Sequence, residues 1–238
     1  ENLKAASNLA DACVKACVRR LVHCSTAVVA GRAGDDLINE NTRCRPAPGY
    51  EITKFEIERM LVEKAAGRFD LAILRPTAVF GPGSRNLLKM ADDLNSGNRT
   101  LNYLKSCLFN QRKMNLVSIG HVVSALSFLA FAKRKWNGDV FIVSDDDHPW
   151  NTYRNVEKYL MNALGRPDYR IPRFPVPAFV LSAMLRIAGR SNSNPHRLYD
   201  AGKLRAAGFQ NTVSFEGTLL TFADWYRQRL GGPAIQNS

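Results

Sequence analysis

Between positions 21 and 143, short apolar runs alternate with longer stretches whose apolar residues recur every three to four positions. Few folds accept that alternation. Residues 21–25, 71–74, 116–119 and 140–143 carry almost no polar interruption, so each reads as a strand covered on both faces. Between them lie helical patterns. Leu3, Ala6, Leu9, Ala10, Cys13 and Cys17 share one face, residues 50–66 end at Gly67, and Leu87, Leu88, Ala91 and Leu94 end near Gly97. Residues 121–132 and 152–164 complete the set, the latter stopped by Gly165. Strands alternating with helices predict an α/β protein, a parallel sheet with helices on both faces.

After residue 150 the strand pattern fades, and helices over 177–188, 200–207 and 215–230 suggest a smaller helical, substrate-side region. The expected organisation is a single domain over 1–238, with its sheet core in 1–83 and 116–144. The substrate-side region then occupies 84–115 and 145–231. The chain opens on Glu1, directly in a helical pattern, and reads as a fragment of that domain.

Lys and Arg number 33 against 21 Asp and Glu, a net charge of +12. Nucleic acid, an anionic membrane surface and a phosphorylated ligand would each suit it. The basic residues are scattered along the sequence without zinc-finger spacing or an RNP-type aromatic motif, which speaks against nucleic acid. The cysteines Cys13, Cys17, Cys24, Cys44 and Cys107 are odd in number and form no Cys-x-x-Cys, so reduced thiols in a cytoplasmic setting fit best. No signal peptide is visible, and no apolar run approaches the roughly 20 residues that span a bilayer.

Chemistry concentrates at Tyr50 and Lys54, one helical turn apart on one face. A phenol ionises near pKa 10, too high for a base at neutral pH, and a cation one turn away should lower it. Such a pair is a proton shuttle for alcohol/carbonyl interconversion. The bland alternative is an ordinary exposed helix start. Ser25 and Thr26 end the strand that precedes this helix, where ligands bind in open parallel sheets. Their hydroxyls can hold a substrate oxygen, or merely cap a turn.

At this point the residues resemble a family. His23-Cys24-Ser25-Thr26-Ala27-Val28-Val29-Ala30-Gly31 looks like the strand-and-loop motif of extended short-chain dehydrogenases of the NAD-dependent epimerase/dehydratase type, and Tyr50–Lys54 follows at the right distance. The segment from Leu74 through Arg75, Pro76, Thr77 and Ala78 to Gly83 is similar to the family's Arg-Pro-x-x-Val-Tyr-Gly-Pro-Gly. Residues 116–125, 138–143, 200–209 and Trp225-Tyr226 resemble later parts of it, in the family's order.

The resemblance implies a Rossmann-like fold and a bound NAD or NADP. It makes Tyr50 the general acid/base and gives Lys54 the nicotinamide ribose. Thr26, with Ser25 beside it, would be the active-site hydroxyl, Pro76 and Thr77 would line the nicotinamide pocket, and Asn2 would match an Asn that opens the preceding helix. It also implies a small-molecule substrate, a nucleotide sugar first, and a homodimer built on two long helices. The departures narrow this. The family's Gly-x-x-Gly-x-x-Gly turn and N-terminal strands are missing from this chain, so as given it is expected to bind a dinucleotide poorly. Ala78 stands where nucleotide-sugar enzymes often have Asn, Arg112 and Lys113 only approximate an Arg expected near Met114, and Ala30 replaces a Tyr.

Three further features are expected to be structural. Asp145-Asp146-Asp147-His148 reads as a solvated loop, with no metal site. His23 and His121 read as satisfied structural imidazoles. The segment 174–187, with Phe174 and Phe179, reads as a buried helix, with an apolar lid over a lipidic substrate as the sharper alternative. The sequence thus predicts an NAD(P)-dependent epimerase, dehydratase or reductase acting by hydride transfer. The alternatives are a 3-beta-hydroxysteroid-dehydrogenase-like oxidoreductase and a non-catalytic scaffold without cofactor.

Overall fold

The computed structural model describes residues 1–174, 176–187 and 194–231. The last residue of the helix expected over 177–188, and the end of the expected domain, lie outside the described residues. The chain begins with α1 (Asn2–Lys15), β1 (Arg20–Cys24), a 3-10 turn (Ala27–Ala30), β2 (Leu37–Ile38), α2 (Tyr50–Ala65), β3 (Asp70–Pro76) and β4 (Ala78–Phe80). It continues with α3 (Arg85–Ser96), α4 (Arg99–Phe109), β5 (Leu116–Ser118), α5 (Ile119–Phe131), β6 (Asp139–Val143) and α6 (Tyr153–Ala163). It closes with α7 (Ala178–Ile187), β7 (Leu198–Tyr199), α8 (Gly202–Ala206) and α9 (Phe215–Arg229). The protein is α/β, as the alternation predicts.

The chain divides into two compact units, one of residues 1–77, 121–144 and 199–211, the other of 78–120, 145–198 and 212–238. The first holds a parallel sheet in the order β1-β3-β6. Arg20 stands opposite Asp70, Cys24 opposite Leu74, and Pro76 opposite Val143. β3 is central and buried along its whole length, which is why its sequence is an apolar run. On one face Ala10 and Cys13 of α1 and Ile57 and Leu61 of α2 pack on Leu71 and Ile73. A second cluster gathers Ala27, Ala30, Ala33, Ile38, Ile142 and Tyr199.

In the second unit β4 runs parallel to β5, and Phe80, Leu87, Leu116, Leu160 and Phe222 share one core. Apolar periodicity does not reveal α4. Its apolar Leu101 and Leu104 face solvent, while Asn102 and Ser106 turn inward. Asn102 Nδ2 donates to the Asp93 carbonyl, and Ser106 pairs with the buried Glu157 carboxylate. A helix held by buried polar contacts leaves no hydrophobic stripe to read.

Two expectations need correction. The acidic run at 145–147 is not a solvated loop throughout. Asp145 and Asp146 are buried, Asp145 accepting from the Ser118 N–H at 3.0 Å and Asp146 from Asn115 at 2.8 Å and Asn151 at 3.2 Å. Carboxylates this short reach backbone and amide donors at the end of β5 more readily than water does. The segment 174–187 is not wholly buried either, since Phe174, Phe179 and Ile187 are exposed. No helix among the described residues is long and apolar enough to cross a membrane.

Candidate active site

A backbone hydrogen bond from Ser25 N to the Leu74 carbonyl (2.7 Å) carries the β1–β3 pairing one residue past Cys24. Thr77 N bonds the Val143 carbonyl in the same way at 3.1 Å. Ser25 and Thr77 thus sit at the carboxyl ends of adjacent parallel strands, the end that receives ligands in such sheets. The two residues are 5% and 8% exposed, and neither hydroxyl has a hydrogen-bond partner among the described residues. A buried hydroxyl left unpaired costs about 1–3 kcal/mol. Two at one sheet end call for a ligand oxygen or nitrogen to meet them.

Thr26 is placed differently. It is half-buried, and its Oγ1 accepts a long bond (3.4 Å) from Val28 N at the start of the 3-10 turn. It is a cap here, and the unpaired hydroxyl at this strand end belongs to Ser25. Pro76 ends β3 in full burial.

Helix α2 starts at Gly49, whose φ of +89° only glycine adopts without strain. Glu51 Oε2 accepts from Ala47 N at 2.7 Å and fixes the entry of the chain. Tyr50 and Lys54 then fall on successive turns. Lys54 acts electrostatically on both His23 and Cys24, and the Tyr50 phenol responds to Cys24, so the pair stands against the end of β1. Tyr50 keeps 57% of its surface exposed. Partial burial and then Cys24 push its phenol above the ordinary range. The shift runs opposite to the lowering that the i, i+4 spacing predicts, because burial disfavours the phenolate. In this form the Tyr50 phenol keeps its proton at neutral pH.

Behind the pair lies a buried polar seam that sequence reasoning missed. Glu58, one turn beyond Lys54, accepts from Arg75 Nε at 3.0 and 3.2 Å and from Arg75 Nη2 at 2.5 Å. His23 faces the same seam. Burial first, then Lys54, drive its imidazole down to about 4, with Glu58 opposing, so it is neutral at pH 7. Its Nε2 is buried without a partner among the described residues, which corrects the expectation of a satisfied imidazole. A desolvated ring between a cation and an anion gains nothing by charging. The signal was present: Glu58 continues the i, i+4 row of Tyr50 and Lys54, and Arg75 directly precedes Pro76. His121, by contrast, stacks on Phe209 at 5.4 Å, and no group of three His, Cys, Asp or Glu among the described residues is placed to hold a metal ion.

With this geometry in place, likeness to known proteins becomes informative. A UDP-glucose 4-epimerase of Vibrio cholerae is 29% identical over 189 residues, which cover 78% of this chain and 55% of that protein. The chain therefore spans about half the length of that relative. The Bordetella bronchiseptica enzyme WbmG in complex with NAD and UDP superposes with a TM-score of 0.69 at 21% identity, over 94% of this chain and 65% of that one. A Thermotoga maritima UDP-glucose 4-epimerase with UDP-glucose gives 0.68 at 19%, over 93% and 68%. At such identities these structures show the shared fold alone. The sequence model of the 3-beta hydroxysteroid dehydrogenase/isomerase family matches residues 1–176, most of the chain. The chain belongs to that family, among the extended short-chain dehydrogenases of the NAD-dependent epimerase/dehydratase type.

Proposed function

We propose that this chain carries the substrate-activating half of an NAD(P)-dependent oxidoreductase that moves hydride at an alcohol-bearing carbon. The observation that carries this reading is the pair of unpaired buried hydroxyls, Ser25 Oγ and Thr77 Oγ1, at the strand ends beside Tyr50 and Lys54. Those orphaned atoms fit a bound nicotinamide nucleotide and its substrate. Lys54, Pro76 and Thr77 would hold the nicotinamide end, and Ser25, with Thr26 beside it, would orient the reacting oxygen. When bound, the nicotinamide supplies the hydride acceptor or donor. Tyr50 gives a proton to the carbonyl oxygen, or takes one from the hydroxyl. Because its phenol sits above the ordinary range in the chain alone, proton donation is the step it is prepared for.

A nucleotide sugar is the favoured substrate, supported by the Vibrio cholerae relative, whose name is UDP-glucose 4-epimerase. A second reading, a hydroxysteroid or similar apolar alcohol, rests on the matching family and on the exposed Phe174, Phe179 and Ile187. The test uses protein from the complete reading frame, supplied with NAD and either UDP-glucose or a 3β-hydroxysteroid. Turnover of one and not the other decides the substrate. Tyr50→Phe is expected to lower kcat at least about a hundredfold while cofactor binding persists. Unchanged turnover in that variant rules out the assigned role.

A further inference from the structure

Three loops of the first unit enter the parallel sheet at its amino end: residues 16–19 before β1, 66–69 before β3 and 132–138 before β6. Hydrogen bonds join them into one surface. Arg20 Nη1 donates to the carbonyls of Leu129, Ala130 and Ala132 at 3.0, 3.1 and 2.7 Å, and Arg20 Nε pairs with Asp70 at 2.6 Å. Asp70 Oδ1 accepts from Trp136 N and Asn137 N at 2.8 and 2.9 Å, while Asp70 N donates to the Arg19 carbonyl at 3.0 Å.

This end is strongly cationic. Lys15, Arg19, Arg68, Lys133, Arg134 and Lys135 are all exposed, and the three loops contain no Asp or Glu. None of the six pairs with a carboxylate among the described residues. At the carboxyl end, the loop 25–49 carries three Arg against three Asp or Glu, a balance of zero. Helices α1, α2 and α5 all terminate at the cationic end. Each contributes about half a negative charge, roughly 1.5 in total, which six cations far exceed. Offsetting helix dipoles therefore does not account for them. Beside them Phe131, the last residue of α5, is 86% exposed.

We infer that the amino end of this sheet is a peripheral docking face for an anionic lipid surface. Cations on three short, mutually hydrogen-bonded loops reach a flat charged surface together, inside a Debye length of about 8 Å. An exposed aromatic ring supplies the apolar half of the two-part signal that peripheral attachment needs. A nucleic-acid duplex would use the charge and leave Phe131 in water.

The test is co-sedimentation of the chain with phosphatidylcholine vesicles, with and without about 30% phosphatidylserine, near physiological salt. Binding is expected only to the anionic vesicles. K133E/R134E/K135E should lower the partition coefficient at least about a hundredfold, since each of the three basic residues at such a surface contributes roughly fivefold. Phe131→Ala should lower it about three- to tenfold. Reversing Arg154, Lys158 and Arg227 instead makes the same change in net charge elsewhere, and should leave most of the binding. Equal loss in that control overturns the inference, as does equal binding to pure phosphatidylcholine. Tighter binding to duplex DNA, with Phe131→Ala silent, overturns it too. If the triple variant fails to fold by circular dichroism, release of the parent chain by about 0.5 M salt, together with Phe131→Ala, carries the test, and binding unmoved by either overturns it.

Discussion

Arg75 and Glu58 form a buried, forked ion pair, with Arg75 Nη2 2.5 Å from Glu58 Oε2 and side-chain exposures of 8% and 4%. The pair fastens the third turn of α2 to the end of β3, the segment that also presents Thr77. Removing one partner strands the other charge away from water, at a cost of about 3–5 kcal/mol. Glu58→Gln should therefore shift the urea midpoint strongly. Replacing both residues by Met should recover much of the loss, because two apolar side chains leave no charge behind. A Glu58→Gln variant within about 1 kcal/mol of the parent would contradict this account.

Ser25→Ala and Thr77→Val are expected to behave in the opposite sense. Each removes a buried hydroxyl that has no partner among the described residues, so stability should hold or rise by up to about 1 kcal/mol. Nicotinamide nucleotide affinity or turnover of the complete protein should fall in the same variants. Gain of stability with loss of function is the signature of a site. Loss of both would mean that the hydroxyls are structural.

His23 gives stability a specific pH dependence. Its folded-state pKa of about 4 lies below the ordinary value of 6.5, so the unfolded chain binds more protons between those limits. Stability contributed by the neutral ring is complete above about pH 6.5 and is lost as pH falls toward 4. The loss amounts to about 1–2 kcal/mol once solvent screening of the partly exposed ring is allowed for. His23→Leu should flatten the melting temperature between pH 6.5 and 4. A parental slope in that variant would assign the dependence to other groups.

Among the described glycines, Gly31 is the position where a methyl group is least tolerable. Its φ is +58°, and a Cβ built there would lie 2.0 Å from the Arg45 carbonyl oxygen. Arg32 N and Arg45 N hold that loop, bonding the carbonyls of Arg45 and Ala30 at 2.9 and 3.1 Å. Gly31→Ala should cost at least about 2 kcal/mol and loosen the loop that leads to Tyr50. Thermal melting, followed by limited proteolysis of residues 31–49, measures both effects.

The sequence by itself determined the α/β architecture, because strands buried on both faces must be written as unbroken apolar runs and crossover helices as a 3.6-residue period. The pattern also locates the strand end and helix start where the candidates Ser25, Thr26, Tyr50 and Lys54 stand, whereas Pro76 and Thr77 are candidates only through the family resemblance. Polar contacts were not legible. α4 carries Leu101 and Leu104 outward, His23 looks like a satisfied imidazole in sequence, and the Tyr50 phenol moves up through partial burial and the neighbouring Cys24. Six of the cations that look scattered along the chain gather at one sheet end, on loops joined by the contacts of Arg20 and Asp70. Hydrophobic periodicity is a one-dimensional signal, whereas the field at a charged group depends on which distant segments the fold brings within a few ångströms. That placement belonged to the tertiary structure.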